Sequence, residues 1–282
     1  MSDFYFSNEA HFNSVLTNII VDGKECLHVI ADFDRTLTKA YVEGKFKSSL
    51  EAIFDEQDFL WNEFTAKTRE YFEKYFPIEI DPKITLEEKK KIMHEWWSNK
   101  FWLMLKYWLT KDMIKEAMKS DKIIFRSWSD CFFDLLTNNN IPLLIFSASG
   151  LWQDGVGYCL ENKNKLSENI SIISNSFLRD KHGKVLGIKD PIIHSFNKGE
   201  AAVFDLPIYN KIKERKNIIL LGDSLGDADM AQGFNYKNII KIWFLNHDTP
   251  ENRKQFQEKF DLIILNDWPM DEINVILKQI CR

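Results

Sequence analysis

Six short, near-continuous apolar runs decide most of what this chain can fold into: "LHVIADF" (27–33), "IPLLIFSAS" (141–149), "ISIISNSF" (170–177), "KNIILLGDS" (216–224), "NIIKIWFL" (238–245) and "FDLIIL" (260–265). Runs of this length, rich in β-branched residues and with little polar alternation, suit strands covered on both faces. Helix-spaced segments separate most of them, so an α/β protein with a mainly parallel sheet is expected. The stretch "NSFLRDKHGKVLGIKD" (175–190) breaks the pattern. Asp180 to Gly183 can turn the chain there, and a hairpin is expected.

Residues 40–128 differ from the rest. No convincing sheet strand is visible in them. "DEQDFLWNEFTAKTREYFEKYF" (55–76) and, after the breaker Pro82, "TLEEKKKIMHEWWSNKFWLMLKYWL" (85–109) carry apolar residues at helical spacing, and Thr110 is a capping candidate for "TKDMIKEAMKS" (110–120). A crossover of that length is too long for a loop, so a helical module is expected between the first two strands. The division follows: a core of residues 1–39 and 129–282, and an inserted helical unit at 40–128.

Composition narrows the function classes. With 22 Phe, 9 Trp and 8 Tyr in 282 residues the chain can bury a large core and is not disordered. The formal net charge is −5, and no Lys/Arg block suggests binding to a nucleic-acid polymer. "EEKKK" (87–91) carries both signs and suits a solvated helix face. No apolar run reaches the ~18 residues of a membrane span, and the opening "MSDFYFSNEAHF" lacks the basic start and apolar stretch of a signal peptide. Cys26, Cys131, Cys159 and Cys281 are scattered without a CxxC pair, as expected of reduced cysteines in a cytoplasmic protein.

Four stretches carry chemistry, each at or just past the C-terminal end of an expected strand, the edge where open α/β sheets bind ligands. They are Asp32-Phe33-Asp34, Ser147 in "FSAS", Lys198 in "SFNKGE", and Asp223 with Asp227 in "GDSLGDADM". Each alone could be a cap, a turn or a surface lysine. Together they place four carboxylates in one cleft. Two like charges 4 Å apart repel by about 4 kcal/mol at an effective dielectric near 20. A phosphate dianion would add to this, so the cleft needs a counter-charge. A hard divalent cation, Mg²⁺, suits carboxylate and phosphate oxygens. Lys198 adds a positive charge and the Ser147 hydroxyl a donor, a set suited to phosphoryl transfer. No G-x-G-x-x-G follows the first strand, which argues against a dinucleotide site.

Asp-x-Asp-x-Thr, Ser, Lys and Gly-Asp-Ser-x-Gly-Asp, in that order, resemble the motif series of the haloacid dehalogenase (HAD) superfamily of phosphohydrolases. "YFPIEIDP" (75–82), "EWW" (95–97), "NNIPLLIFSA" (139–148), "IIHSFNKGE" (192–200), "ILLGDSLGDADMAQG" (219–233) and "IIKIWFLN" (239–246) further resemble the cytosolic pyrimidine 5′-nucleotidases, over nearly the whole chain. The resemblance implies a HAD-like Rossmannoid core with an α-helical cap. It implies removal of the 5′-phosphate from nucleoside monophosphates through an aspartyl-phosphate, with transfer to an acceptor nucleoside left open. Asp32 would be the nucleophile and Asp34 the general acid/base. Asp32, Asp34 through its backbone carbonyl, and Asp223 would hold Mg²⁺, with Asp227 close by orienting water or Lys198. Ser147 and Lys198 would grip the phosphate.

Six of the nine tryptophans lie between residues 61 and 128. Trp61, Trp102 and Trp108 share helical spacing with other apolar residues and are expected in the cap's core. Trp96 and Trp97 point about 100° apart on a helix, so both cannot face one packing seam, and one is expected to stack on the base. Three departures bear on specificity. Ser147-Ala148-Ser149-Gly150 stands where the family has Ser-Ala-Gly, Arg35 where it has Met, and Lys119-Ser120-Asp121 where it has a base-reading Glu before Ser-Asn. The catalytic set survives all three, but the usual pyrimidine preference does not follow. Two alternatives stay open: a HAD phosphatase for another small phosphate ester, and an inactive HAD-fold binding protein.

Overall fold

The computed structural model describes residues 3–42, 44–46, 49–55, 61–81, 83–120, 122–149, 151–181, 185–199, 203 and 206–282. The chain begins with β1 (Phe4–Phe6), α1 (Glu9–Asp22) and β2 (Leu27–Asp32). The inserted region holds β3 (Tyr41–Val42), β4 (Lys45–Phe46), α2 (Leu50–Asp55), α3 (Trp61–Ile80), α4 (Leu86–Lys106) and α5 (Lys111–Ala117). There follow α6 (Ser129–Asn138), β5 (Leu143–Ser147), α7 (Trp152–Asn162), β6 (Ile170–Ser174), β7 (Phe177–Arg179) and β8 (Val185–Ile188). The chain closes with α8 (Tyr209–Ile212), β9 (Asn217–Gly222), β10 (Asn238–Leu245), α9 (Pro250–Gln257), β11 (Leu262–Leu265) and α10 (Asp271–Ile280).

Seven strands form one sheet in the order β1-β11-β10-β9-β2-β5-β6. Every neighbouring pair is parallel except β1 with β11, an antiparallel edge of three residues. The six apolar runs supply the six parallel strands. Their side chains feed two layers, because successive residues on a strand face opposite ways. Val29 and Ala31 of β2 join Phe12 and Ile19 of α1 and Phe132 of α6 on one face. Ile30 of the same strand joins Ile212 of α8 and Phe256 of α9 on the other. The expected hairpin is β7–β8, antiparallel with Phe177 opposite Ile188. Residues 182–184, most of its turn, lie outside the described residues, as do Pro82, Asp121 and Gly150.

Between β2 and β5 the chain departs to build α2 to α5. A capping box starts α4: the Thr85 side chain accepts from the Glu88 N–H, and the Glu88 carboxylate accepts from the Thr85 N–H. Thr110 caps α5 by accepting from the Met113 N–H. Two details depart from the reading of 40–128 as strand-free and of helical spacing over 55–76, of which residues 56–60 lie outside the described residues. Tyr41–Val42 and Lys45–Phe46 pair as a two-residue ladder apart from the main sheet. The helix α3 continues through Pro77 to Ile80, which carries Glu79 toward the core.

Trp61, Trp102 and Trp108 overturn their core assignment, being 63%, 62% and 60% exposed. On α4 the buried positions are Met93, Lys100, Phe101, Leu103 and Met104. Trp102 sits on the opposite side of that helix, while Trp108 follows the helix end in a left-handed conformation (φ 59°). Apolar spacing in a helix this rich in aromatics does not say which stripe faces inward.

Candidate active site

β2, β5 and β9 lie side by side in the middle of the sheet, and their C-terminal ends present Asp32, Ser147 and Asp223 to one edge. The side chains of Asp32, Asp223 and Asp227 each offer a carboxylate oxygen within 4.8 Å of the others. The Lys198 ammonium donates to Asp32 Oδ1 and, at 3.0 Å, to Asp227 Oδ1. Asp227 is fully enclosed. Its Oδ2 accepts from the Asp223 N–H (3.1 Å), the Ser224 N–H (2.9 Å) and the Ser224 hydroxyl (2.8 Å). Asp227 therefore locks the loop that presents Asp223 and orients Lys198 with its other oxygen.

The glycines of this loop are required by close approach. A Cβ on Gly222 would lie 2.5 Å from Asp227 Cβ, and one on Gly226 would collide with the Ser195 carbonyl oxygen. The turn carrying Asp223 and Asp227 is thus pressed directly against the segment carrying Lys198. Asp34 faces the inserted helices: its Oδ1 accepts from the Leu50 N–H at the start of α2 (2.8 Å). Ser147 is buried at the end of β5, where its Oγ accepts from the Ser149 N–H (3.2 Å) and keeps its own proton to donate. Ala148 and Ser149 line the cavity beside it.

The electrostatics show a site short of positive charge. Burial, then the Asp32 charge, pushes the Asp34 carboxyl up to about 6, although the Leu50 N–H pulls it down. Asp32 is raised by burial and by Asp227 and Asp223, with Lys198 opposing. Burial also raises Asp223, with Arg35 opposing. Lys198 is held above its ordinary value: burial disfavours its charge, but Asp227 and Asp32 outweigh that. Clustered carboxylate oxygens from Asp32, Asp223 and Asp227 are a donor set suited to a hard divalent cation. The residues present fit such an ion.

Arg35 is a residue whose position could not be read from the chain. It has φ 65°, a left-handed conformation that costs an arginine about 1 kcal/mol. Its Nε stands 3.4 Å from Asp223 Oδ2. Arg126 was missed altogether. Its guanidinium is fully buried and donates to the carbonyls of Arg35 (2.6 Å) and Thr36 (2.8 Å), to that of Asn266 (3.1 Å) and to Asn246 Oδ1 (2.7 Å). It ties the loop after Asp34 to the ends of β10 and β11. The only signal in the sequence was a charge within the apolar run "IIFRSW".

Above the carboxylates lies a cavity of about 510 Å³. Asp32, Asp34, Arg35, Lys198 and Asp223 form its floor, and Phe72, Phe76, Trp96 and Trp97 from α3 and α4 line it as well. Trp96 is stacked on Tyr75 (centroids 5.6 Å apart, 17° between planes) and on Trp97 (6.0 Å, 17°). Both tryptophans therefore reach the cavity. Their 100° separation on the helix bars a shared narrow seam but not a shared broad wall. Tyr75 is fixed beneath them by donating to Glu95 Oε1 (2.6 Å). Glu79, at the end of α3, accepts from the Ser195 hydroxyl and joins the inserted helices to the lysine-bearing segment.

A family model described as "Pyrimidine 5'-nucleotidase (UMPH-1)" matches residues 35–281. The 7-methylguanosine phosphate-specific 5′-nucleotidase A of Xenopus laevis is 36% identical over 268 residues, covering 93% of this chain and 90% of that protein. The human 7-methylguanosine phosphate-specific 5′-nucleotidase is 34% identical over 263 residues, covering 92% and 86%. The crystal structure of cytosolic 5′-nucleotidase IIIB bound to cytidine superimposes with a TM-score of 0.90 at 31% identity, over 99% of this chain and 93% of that one. A substrate-bound phosphoserine phosphatase shares the fold alone, with a TM-score of 0.51 at 17% identity over 88% of this chain and 95% of that one. A sheet of this order, with its strand-end carboxylates and a match that runs through core and inserted helices alike, makes the chain a member of the pyrimidine 5′-nucleotidase (UMPH-1) family within the HAD superfamily.

Proposed function

We propose that the protein removes the 5′-phosphate from nucleoside monophosphates with Mg²⁺ as cofactor. The observation that carries this reading is the single cavity that joins a carboxylate–lysine floor to an aromatic wall. An Asp32 oxygen attacks phosphorus, the bond from phosphorus to the ester oxygen breaks, and Asp34 protonates the leaving nucleoside oxygen. Asp34 then takes a proton from water, which attacks the aspartyl-phosphate and releases Asp32 and inorganic phosphate. The raised pKa of Asp34 supports its keeping a proton for the first step. Ser147 and Lys198 hold the phosphate, and Asp227 holds Lys198 in place. Asp32, the backbone carbonyl of Asp34, and Asp223 would hold the cation, which neutralises phosphate charge when bound.

Residues 40–128 act as a cap over a core of 1–39 and 129–282, and Trp96 or Trp97 stacks on the base. The relatives' names support 7-methylguanosine monophosphate as the first substrate to try. A base carrying positive charge suits an aromatic wall with Glu79 nearby. We further propose a monomer working in the cytoplasm on small molecules, without nucleic-acid polymers. No helix among the described residues is long and apolar enough to cross a membrane, and all four cysteines are free. The test is turnover of 7-methylguanosine, cytidine and uridine monophosphates and of a base-free ester, with Mg²⁺, with EDTA, and for Asp32→Asn. Nucleotide hydrolysis that needs the metal and vanishes in Asp32→Asn supports the reading. Preference for the base-free ester would favour a phosphatase for another small ester.

A further inference from the structure

Asp55 and Lys100 both line the cavity, and the mechanism above gives them no task. Lys100 lies on α4 three residues past Trp97 and four past Trp96, spacings at which side chains on a helix are neighbours. Its ammonium donates to Asp55 Oδ2 at 3.0 Å, and the two side chains are only 8% and 18% exposed. Asp55 is the last residue of α2, whose first N–H, that of Leu50, donates to Asp34 Oδ1. This short helix therefore runs from the acid/base to the aromatic wall, a rise of about 7.5 Å. The Thr65 hydroxyl of α3 donates to the Asp55 carbonyl (3.3 Å), which ties the end of α2 to the neighbouring helix.

The other carboxylate oxygen, Asp55 Oδ1, is buried and has no hydrogen-bond partner among the described residues. A buried acceptor left unmet is costly, and a buried ion pair kept for packing alone could give way to apolar residues without loss. In a residue that lines a substrate cavity beside a stacking wall, such an atom calls for a donor from the substrate. We infer that Asp55 reads the base: its Oδ1 accepts from an exocyclic amino group on the edge of the base, while Lys100 holds the carboxylate in place. The amino group is the donor that best suits a carboxylate here. The imide N–H of uracil lies between two carbonyl oxygens, and a carboxylate repels both. The amino group of cytosine or guanine projects clear of the ring without that flanking pair. The substrate class is then a nucleoside monophosphate whose base carries an amino group. This deepens the nucleotide reading and rests on it.

The test is kcat/KM on wild type, Asp55→Asn and the double variant Asp55→Leu with Lys100→Met. The substrates are cytidine and uridine monophosphates, 7-methylguanosine and 7-methylinosine monophosphates, and ribose 5-phosphate. The members of each nucleotide pair differ at the amino group. The double variant removes both charges together, so neither is stranded in the fold. Wild type is expected to favour the amino-bearing member of a pair by about tenfold or more. In both variants that preference should fall to within about threefold, through loss on the amino-bearing nucleotide, with ribose 5-phosphate changed by less than about threefold. Asp55→Asn offers an amide N–H to a uracil oxygen, so its turnover of uridine monophosphate should rise. No amino preference in wild type, a preference that survives in both variants, or equal losses on every substrate would overturn the inference while leaving the nucleotide reading standing. If wild type hydrolysed no nucleotide faster than ribose 5-phosphate, the nucleotide reading would fall and this inference with it.

Discussion

Gly226 shows how much of this site depends on single atoms. A methyl group there meets the Ser195 carbonyl, so Gly226→Ala must push the Ser195–Lys198 segment away from the carboxylates. The expected result is a loss of about 1–3 kcal/mol of stability from overpacking and a fall in kcat of tenfold or more as Lys198 leaves its position. Thermal melts and steady-state kinetics on the purified variant check both, and full activity would mean that the close approach is slack. Asp32, Asp34, Ser147 and Asp223 were legible as residue types at or just past strand ends, whereas Lys198, expected after a strand, comes from the segment between β8 and β9. The contact between Gly226 and Ser195 was not legible, because it joins segments 31 residues apart through a backbone oxygen that leaves no trace in composition.

The pair α3–α4 works as a unit. Tyr75, Trp96 and Trp97 stack in sequence, and the Tyr75–Glu95 hydrogen bond sets the register of the two helices. If one tryptophan stacks on the base, its replacement by Leu keeps most apolar volume and removes the π face. A loss of roughly 1–3 kcal/mol in kcat/KM is expected for nucleotides, with little change for a base-free ester. Measuring both substrates on Trp96→Leu and Trp97→Leu separates base recognition from packing. Equal losses on the two substrates would assign both rings to packing alone. Helical periodicity located these helices, but it could not choose between Trp97, which faces the cavity, and Trp102, which faces solvent. That choice depends on what packs against the helix.

For the molecule as a whole, the buried imidazole of His28 ties stability to pH. It sits in β2, 1% exposed, against Phe234 and near Arg215, and burial pushes it down to about 4. Unfolded, the same group titrates near 6.5, so between those values the unfolded chain binds the extra proton. Stability therefore falls as the pH drops from about 6.5 to about 4, by roughly 3 kcal/mol from this one group, and is flat with respect to it outside that window. Unfolding free energies from urea melts of wild type and His28→Leu should diverge by about this total across that range. Parallel pH profiles would mean that the imidazole is not neutral in the fold. Taking the difference removes the opposite contribution of the raised active-site carboxylates.

The apolar pattern of the chain is enough to dictate the layered α/β architecture. Six apolar runs with helices between them have few ways to bury both faces other than a mostly parallel sheet, and strand ends place their polar residues at one edge whatever the loops do. For the same reason Asp32, Asp34, Ser147 and Asp223 stand at or just past the ends of β2, β5 and β9, whereas the meeting of Lys198 with Asp32 and Asp227 was left to the fold. Tertiary structure alone decided the rest. It turned Trp61, Trp102 and Trp108 outward, set Arg126 under the loop that follows Asp34, held Arg35 in a left-handed conformation against Asp223, and closed α3 and α4 over the carboxylates. Each of these depends on contacts between segments far apart in the chain, where local spacing carries no information about distance.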